Sequence, residues 1–173
     1  MAGTSIYSVY RRTARAAAKQ QVVKKTSNID VERARVDFAY FCDVVGDKPP
    51  ASHHKQWHKY LCTGDSSECL SGIAGPNIDI LAPRGSAKST VLGLFTAWSI
   101  GVHALKRMPL KILYISYTVD VARPKSAAIK RIIEESKTYR EIFPKVKIAK
   151  GINSNEYWSI DWKFAGIKST GEE

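Results

Sequence analysis

The spacing of apolar residues in the first third of the chain predicts two helices. Residues 30–45 carry apolar side chains at helical spacing, which predicts one helix that Asp30 can cap. The run GDKPP ends that helix, and a second helix is predicted over ASHHKQWHKYL, residues 51–61, with Ser52 as its cap. The composition of TGDSSECLSGIAGPN then indicates a loop.

The apolar pattern changes after residue 76 to short apolar runs that alternate with longer helical segments. The predicted elements, in order, are a buried strand in NIDILAP (77–83), a helix over 87–105, a buried strand in LKILYISYT (110–118), a helix after Pro124 that continues to Phe143, and strand material in 158–170. Strand, helix, strand, helix is the order that builds a parallel sheet flanked by helices. The sequence therefore predicts an α/β fold.

The composition is that of a basic globular protein. The chain has 173 residues, of which 44% are hydrophobic and 25% charged, with a formal net charge of +11. Such a charge predicts attraction to polyanions, of which nucleic acid is the commonest; an acidic protein and an anionic membrane surface are the alternatives. No apolar run reaches the ~18 residues that span a bilayer, and the N-terminus has no signal-peptide core, so we expect a soluble intracellular protein.

The basic charge is concentrated at the N-terminus. Residues 1–25 contain no acidic residue and six cationic ones: Arg11, Arg12, Arg15, Lys19, Lys24 and Lys25. The segment is predicted to be disordered or to form a helix when it binds a partner, and we expect it to bind DNA without sequence preference. We accordingly divide the chain into a basic, partly helical N-terminal segment, residues 1–49, and a second part, residues 50–173.

The cysteines and histidines allow two interpretations. Three cysteines are too few for a disulfide framework and fit a reducing compartment. His54, His58 and Cys62 recur every four residues, so a helix would place them on one face, where Cys69 would complete a four-ligand zinc site. The long spacing from Cys62 to Cys69 instead favours free thiols.

The stretch ILAPRGSAKST, residues 80–90, carries the most specific chemistry. It matches the phosphate-binding pattern G-x-x-x-x-G-K-[ST] at Lys88 and Ser89, with Ala82 and Ala87 at the two glycine positions. In such a loop, backbone N–H groups surround the phosphates, the lysine reaches the β- and γ-phosphates, and the hydroxyl binds Mg²⁺. An alanine in place of the glycine before Lys88 costs little free energy, provided that the alanine itself already has helical backbone angles.

These residues resemble a known family. LAPRGSAKST is similar to the phosphate loop of the large terminase subunits of tailed bacteriophages, in which an arginine precedes a glycine and alanine can precede the lysine. The order of HHKQWHKYL, ILYISYT and DVARPKSAAIKRIIEE is similar as well, so the resemblance covers residues 50–173. It implies a P-loop NTPase-type parallel sheet flanked by helices, incomplete in this chain.

The resemblance also implies the roles of individual residues. ATP and Mg²⁺ would be held by the loop, with Lys88 and Arg84 as catalytic residues that contact the phosphates, and Ser89 (or Thr90) on the metal. Gln56 and His58 lie where the family contacts adenine. The full set of nucleotide-binding candidates in the loop is Ala82, Pro83, Arg84, Gly85, Ser86, Ala87, Lys88, Ser89 and Thr90.

For the whole protein, the resemblance implies an ATPase that drives double-stranded DNA into a capsid. Its partners would be double-stranded DNA, a small terminase subunit, a portal protein and further copies of the chain, with no membrane. Its location would be the host cytoplasm and, transiently, the viral procapsid.

One departure from the family pattern limits the expected activity. The motor needs an acidic pair after a third apolar strand, and no segment here has that pattern. We therefore expect the N-terminal piece of a longer enzyme, which alone hydrolyses ATP very slowly or not at all. The alternatives are a non-catalytic, basic, nucleic-acid-binding fragment and part of another P-loop motor such as a helicase.

Overall fold

Helices dominate the part of the chain that this computed structural model describes, residues 29–46, 49–61, 79–154 and 156–167. They are α1 (Val31–Val36), α2 (Phe38–Val45), α3 (Ser52–Leu61), α4 (Lys88–Leu105), α5 (Val119–Glu135), α6 (Lys137–Ile142) and α7 (Trp162–Ala165). Strands β1 (Ile148–Asn153) and β2 (Trp158–Ile160) pair antiparallel, with Ile148 opposite Ile160 and an irregular register beyond it. The described residues thus combine helices with a small sheet. The basic segment 1–25, Cys62 and Cys69 lie outside them.

Three polar side chains start helices at positions where the sequence predicted continuous elements. Each accepts a hydrogen bond from the backbone N–H three residues later: Asp37 from Tyr40 at 3.0 Å, Ser136 from Tyr139 at 3.2 Å, and Asp161 from Phe164 at 3.0 Å. Such side chains satisfy the free N–H groups of a first turn. The single helices predicted over 30–45 and up to Phe143 are therefore wrong, since each is divided in two. The predicted strand after Ile160 is wrong as well, because α7 begins there.

Helix α5 begins before its proline. We predicted a helix only after Pro124, whereas α5 starts at Val119. The carbonyl of Thr118 accepts from the N–H groups of Val121 and Ala122 at 3.2 and 3.1 Å. The first turn is therefore closed by backbone hydrogen bonds before the chain reaches the proline, which lacks an N–H of its own.

The predicted parallel sheet is not formed by the described residues. Residues 79–83 and 110–116 belong to no strand, although both are apolar. Leu81, Leu113 and Ile115 are 97%, 83% and 80% exposed. A strand of a parallel sheet is buried on both faces and bonded at its edges, and among the described segments none pairs with these two. Of the predicted α/β fold, only the coarse mixture of helix and strand agrees with the structure.

The core lies where α1, α2, α4, α5 and α6 meet. Its largest fully buried side chains are Trp98, Tyr139, Phe38, Phe41, Phe143, Ile133 and Ile142. The two polar groups of these rings are satisfied by the backbone: the Trp98 indole N–H donates to the carbonyl of Ala34 at 3.0 Å, and the Tyr139 hydroxyl donates to that of Ala97 at 2.8 Å. Burial raises the pKa of Tyr139 and raises that of Cys42 to about 12, so both stay neutral at physiological pH.

Helix α4 is the central element of this core, and one glycine brings it close to α6. A β-carbon at Gly101 would lie 2.5 Å from the ring of Phe143, which is fully buried. The predicted helix over 87–105 is confirmed, and its apolar face packs on α1, α2 and α5. None of the helices in the described ranges is both long and apolar enough to cross a membrane. A domain boundary after residue 49 stays a prediction.

Candidate phosphate-binding loop

The loop from Ala82 to Ala87 leads directly into the first residue of α4, Lys88. Two turn residues, Arg84 and Gly85, stand at its exposed tip, and Ser86 is half-buried below them. Pro83 and Ala87 are exposed, as are Ser89 and Thr90 on the first turn of the helix. The nine residues that the sequence selected between positions 82 and 90 are consecutive, and they form this loop and the first turn of α4.

The backbone of the loop turns through two left-handed residues. Gly85 has φ 86°, and Ala87 has φ 56° and ψ 24°. Our argument for tolerating alanine before Lys88 required right-handed helical angles, so that argument is wrong. A left-handed conformation costs a residue other than glycine about 1–2 kcal/mol. Ala87 therefore has the type of conformation for which glycine is usually selected, which fits the glycine in the phosphate-loop pattern.

The strain at Ala87 predicts a stabilising substitution. Ala87→Gly should raise the free energy of unfolding by about 0.5–1 kcal/mol, because the relieved strain exceeds the entropy that glycine adds to the unfolded chain. Urea unfolding followed by circular dichroism measures the change. As a control, Ala127→Gly in the right-handed interior of α5 should lower the same quantity by about 1 kcal/mol. Equal losses in both variants would contradict a left-handed Ala87.

The side chain of Lys88 folds back across the loop. Its ammonium donates a hydrogen bond to the carbonyl of Ala82, at the opposite end of the loop. Ala87 provides no side-chain cap for α4, and the N–H groups of the first turn of a helix have no partner within the helix. The ammonium and these N–H groups together give the helix N-terminus the positive charge that attracts an anion.

A histidine of α3 anchors the loop from outside. His54 Nε2 lies 2.9 Å from the carbonyl oxygen of Ser86, and His54 Nδ1 lies 3.2 Å from the backbone nitrogen of Ala51. Because Nδ1 must accept from the N–H of Ala51, Nε2 carries the proton and donates to Ser86. The sequence did not select His54 for this role. Its position four residues before His58, on the same face of a helix, is the only sequence signal.

The two residues proposed for adenine lie in different surroundings. Gln56 is exposed on α3, whereas the ring of His58 packs against Phe38 at 5.1 Å and Trp98 at 6.3 Å between centroids. His58 Nε2 is buried and has no hydrogen-bond partner in the described part of the chain. Gln56 and His58 therefore do not share one surface, and the loop contact of α3 is made by His54.

Burial of His58 predicts a dependence of stability on pH. Desolvation lowers the pKa of His58 from its ordinary value of 6.5, an effect that the nearby Asp37 carboxylate partly offsets. The unfolded chain therefore binds a proton more readily than the folded chain, so stability should fall as the pH drops below about 6.5. Thermal unfolding between pH 7.5 and 5 measures this loss. His58→Gln should flatten this part of the profile, and an unchanged slope would contradict the assignment.

The loop contains one buried hydroxyl, that of Ser86. Ser86 Oγ is buried and makes no hydrogen bond to any described residue. A buried hydroxyl without a partner costs about 1–3 kcal/mol. The conformation of the loop thus leaves this one hydroxyl without a hydrogen bond to the described residues.

The donors that a metal ion would need are present only in part. The exposed hydroxyls of Ser89 and Thr90 can ligate Mg²⁺, which takes oxygen donors and retains several waters. Within the described ranges, no three His, Cys, Asp or Glu side chains are grouped closely enough to hold a metal ion. The proposed zinc ligands His54 and His58 contact Ser86 and the aromatic core, respectively, and the two cysteines of that site lie outside the described residues.

The paired acids on α5 belong to a solvated helix face. Glu134 and Glu135 are exposed, and Glu135 lies 3.9 Å from Arg131 in an ion pair along the helix. They follow no buried strand, so they do not have the position of the acidic pair that a packaging motor needs.

Comparison with known proteins identifies no relative. No family model, curated protein or solved structure matches the chain. The proposed function therefore depends on the residues of the loop and on their geometry.

Proposed function

We propose that this chain binds ATP through residues 82–90 and forms the nucleotide-binding part of a motor of the large-terminase type. The observation that carries the proposal is the N-terminus of an 18-residue helix, α4, which receives no side-chain cap from Ala87 and is preceded by a turn with left-handed residues at positions 85 and 87. Lys88 supplies a cation at this turn, and Ser86 supplies a hydroxyl that bonds to no described residue. A loop of small residues before a helix N-terminus is a general means of holding phosphate groups.

In this proposal, the residues of the chain bind and position the nucleotide. Lys88 exchanges its bond to Ala82 for the β- and γ-phosphates, and the N–H groups of the first turn of α4 face the same oxygens. Arg84, exposed at the loop tip, contacts the terminal phosphate. Ser89 holds Mg²⁺, which supplies charge neutralisation between the phosphates when bound. His54 keeps the Ser86 carbonyl turned away from the phosphates and towards α3.

The parallel sheet belongs to the same proposal. Residues 79–83 and 110–118 are mainly apolar, and most of their large apolar side chains are exposed in the described part of the chain, with Tyr117 98% exposed. Strands of a parallel P-loop sheet would bury these side chains between two layers of helices. We propose that the two segments form neighbouring strands of a parallel sheet in the assembled motor.

The remaining parts of the proposal concern partners and location. Double-stranded DNA is the proposed polyanion, supported by a net charge of +11 and by exposed cations on α6, on β1 and on the segment between them, among them Lys137, Arg140, Lys145, Lys147 and Lys150. The small terminase subunit, the portal protein and further copies of the chain are the proposed protein partners. The place of action would be the host cytoplasm and the procapsid.

A second candidate function is a basic nucleic-acid-binding fragment without catalysis. It is favoured by the same exposed cations and by the position of Glu134 and Glu135, which are the only adjacent acids in the described ranges and face solvent on α5. The two candidates differ in what they require of the loop. The first requires a saturable site for ATP, whereas the second requires none.

The deciding experiment is a titration of the purified chain with ATP, with and without Mg²⁺, by isothermal calorimetry. We expect one site per chain, binding more tightly with Mg²⁺ than with a chelator present. Ser89→Ala should remove that difference and retain binding of free ATP. The absence of saturable binding would overturn the proposal in favour of the second candidate. A phosphate-release assay on the same sample should show very slow turnover or none.

A further inference from the structure

A cavity of about 300 Å³ lies beside the first turn of α4, on the side of that helix that faces α5. Ser89 and Thr90 form one end of it, and these are the residues that end the candidate phosphate loop. The walls are mainly apolar and are formed by Leu94, Ile129, Ile132 and Val45. The cavity therefore begins where the proposed phosphate site ends and continues along α4 into an apolar space.

The cavity also contains polar groups that can orient a ligand. Lys125 of α5 and Tyr114 line it together with the two hydroxyls. Lys125 is half-buried, and within the described ranges its ammonium makes no hydrogen bond or ion pair. Pockets for small molecules commonly combine apolar walls with a few such polar groups, and their volumes start at about 300 Å³.

The space is open because a glycine stands between the two helices. Gly93 lies one helical turn after Ser89, a rise of about 6 Å. A β-carbon there would be 3.6 Å from Ile129 Cγ1, which is ordinary contact, so any longer side chain would fill the cavity. One helical turn is of the order of the length of a ribose, which separates the phosphates of a nucleotide from its base.

We propose that this cavity receives the base of the nucleotide whose phosphates bind residues 82–90. The apolar walls would cover the faces of a purine, and Lys125 would donate to an acceptor atom on its edge. The inference rests on the proposed ATP site and adds to it the location of the base. It assigns that role to α4 and α5, whereas the sequence selected Gln56 and His58 of α3.

The test compares ATP with inorganic triphosphate, which lacks the base and ribose. Wild-type chain should bind ATP at least about tenfold more tightly than inorganic triphosphate. Ala128→Leu places a larger side chain at the cavity wall, from an exposed position on α5. It should lower ATP affinity about tenfold and leave triphosphate affinity unchanged, and Lys125→Met should act in the same direction. Arg131→Leu, exposed on α5 and outside the cavity, serves as the matched control and should change neither.

The outcomes separate the two proposals. If Ala128→Leu lowers the affinities for ATP and triphosphate equally, or changes neither, the base does not lie in the cavity. If the wild-type chain binds neither ligand, the ATP site itself is wrong and this inference fails with it.

A second measurement does not depend on the folding of a variant. Photolabelling of the wild-type chain with 8-azido-ATP should modify peptides that contain Tyr114 or Ile129. Labelling confined to residues 52–61 of α3 would overturn the inference and favour the positions selected from the sequence.

Discussion

Replacing Lys88 by alanine is expected to lower the affinity of the chain for ATP with Mg²⁺ by about ten- to a hundredfold. The ammonium already bonds to a backbone carbonyl of the loop, Ala82, and Lys88 is the first residue of α4. A hydrogen bond to a charged partner contributes about 1.5–3 kcal/mol, and about 1.4 kcal/mol corresponds to a factor of ten. Titration of a fluorescent ATP analogue measures the change.

The control for this prediction is a lysine that carries the same charge outside the loop. Lys111 is exposed in the segment before α5, so Lys111→Ala should reduce ATP affinity less than twofold. If both variants bind ATP as tightly as the wild type, residues 82–90 do not hold the phosphates. If both lose affinity equally, the net charge of the chain attracts the nucleotide and the loop does not.

The largest loss of stability is expected at Trp98. Trp98→Ala should lower the free energy of unfolding by about 3–5 kcal/mol, the usual range for truncating a buried aromatic side chain. The ring is 1% exposed, stands 5.6 Å from Phe38 between centroids, and bonds the carbonyl of Ala34. Removing it leaves a void and a buried carbonyl without its donor. Urea unfolding followed by far-ultraviolet circular dichroism measures the loss.

A second tryptophan provides the matched comparison. Trp162 is 39% exposed on α7, so Trp162→Ala should cost less than about 1 kcal/mol. Trp98→Phe should fall between the two, since it keeps an aromatic ring and loses the bond to Ala34. Equal losses for Trp98→Ala and Trp162→Ala would mean that the core is not centred on α4.

Helix α4 and the loop before it were predictable because both signals are local. The apolar spacing over 87–105 is that of a helix, and Lys88 with Ser89 follows a run of small residues. The helix starts at Asp37, Ser136 and Asp161 were missed because the same residue types occur as helix caps and as solvated side chains within a helix. Only the observed bond to a backbone N–H distinguishes them.

The strand predictions failed for a different reason. Residues 110–118 have the apolar and β-branched composition of a buried strand. The composition of a segment indicates that it can be buried, but it does not show which other strands would pair with it. The left-handed angles at Ala87 were missed for a related reason. Alanine favours right-handed angles, and the tertiary structure determines whether a turn overrides that preference.

The hydrogen bond from His54 to Ser86 implies energetic coupling between α3 and the loop. A ligand that favours the bonded orientation of the Ser86 carbonyl stabilises the first turn of α3, and α3 increases the affinity for that ligand by the same factor. Substitutions that unwind α3 should then weaken ligand binding at the loop, even where the substituted side chain does not contact the loop. A screen for binding defects would therefore select residues of α3 that lie outside the site.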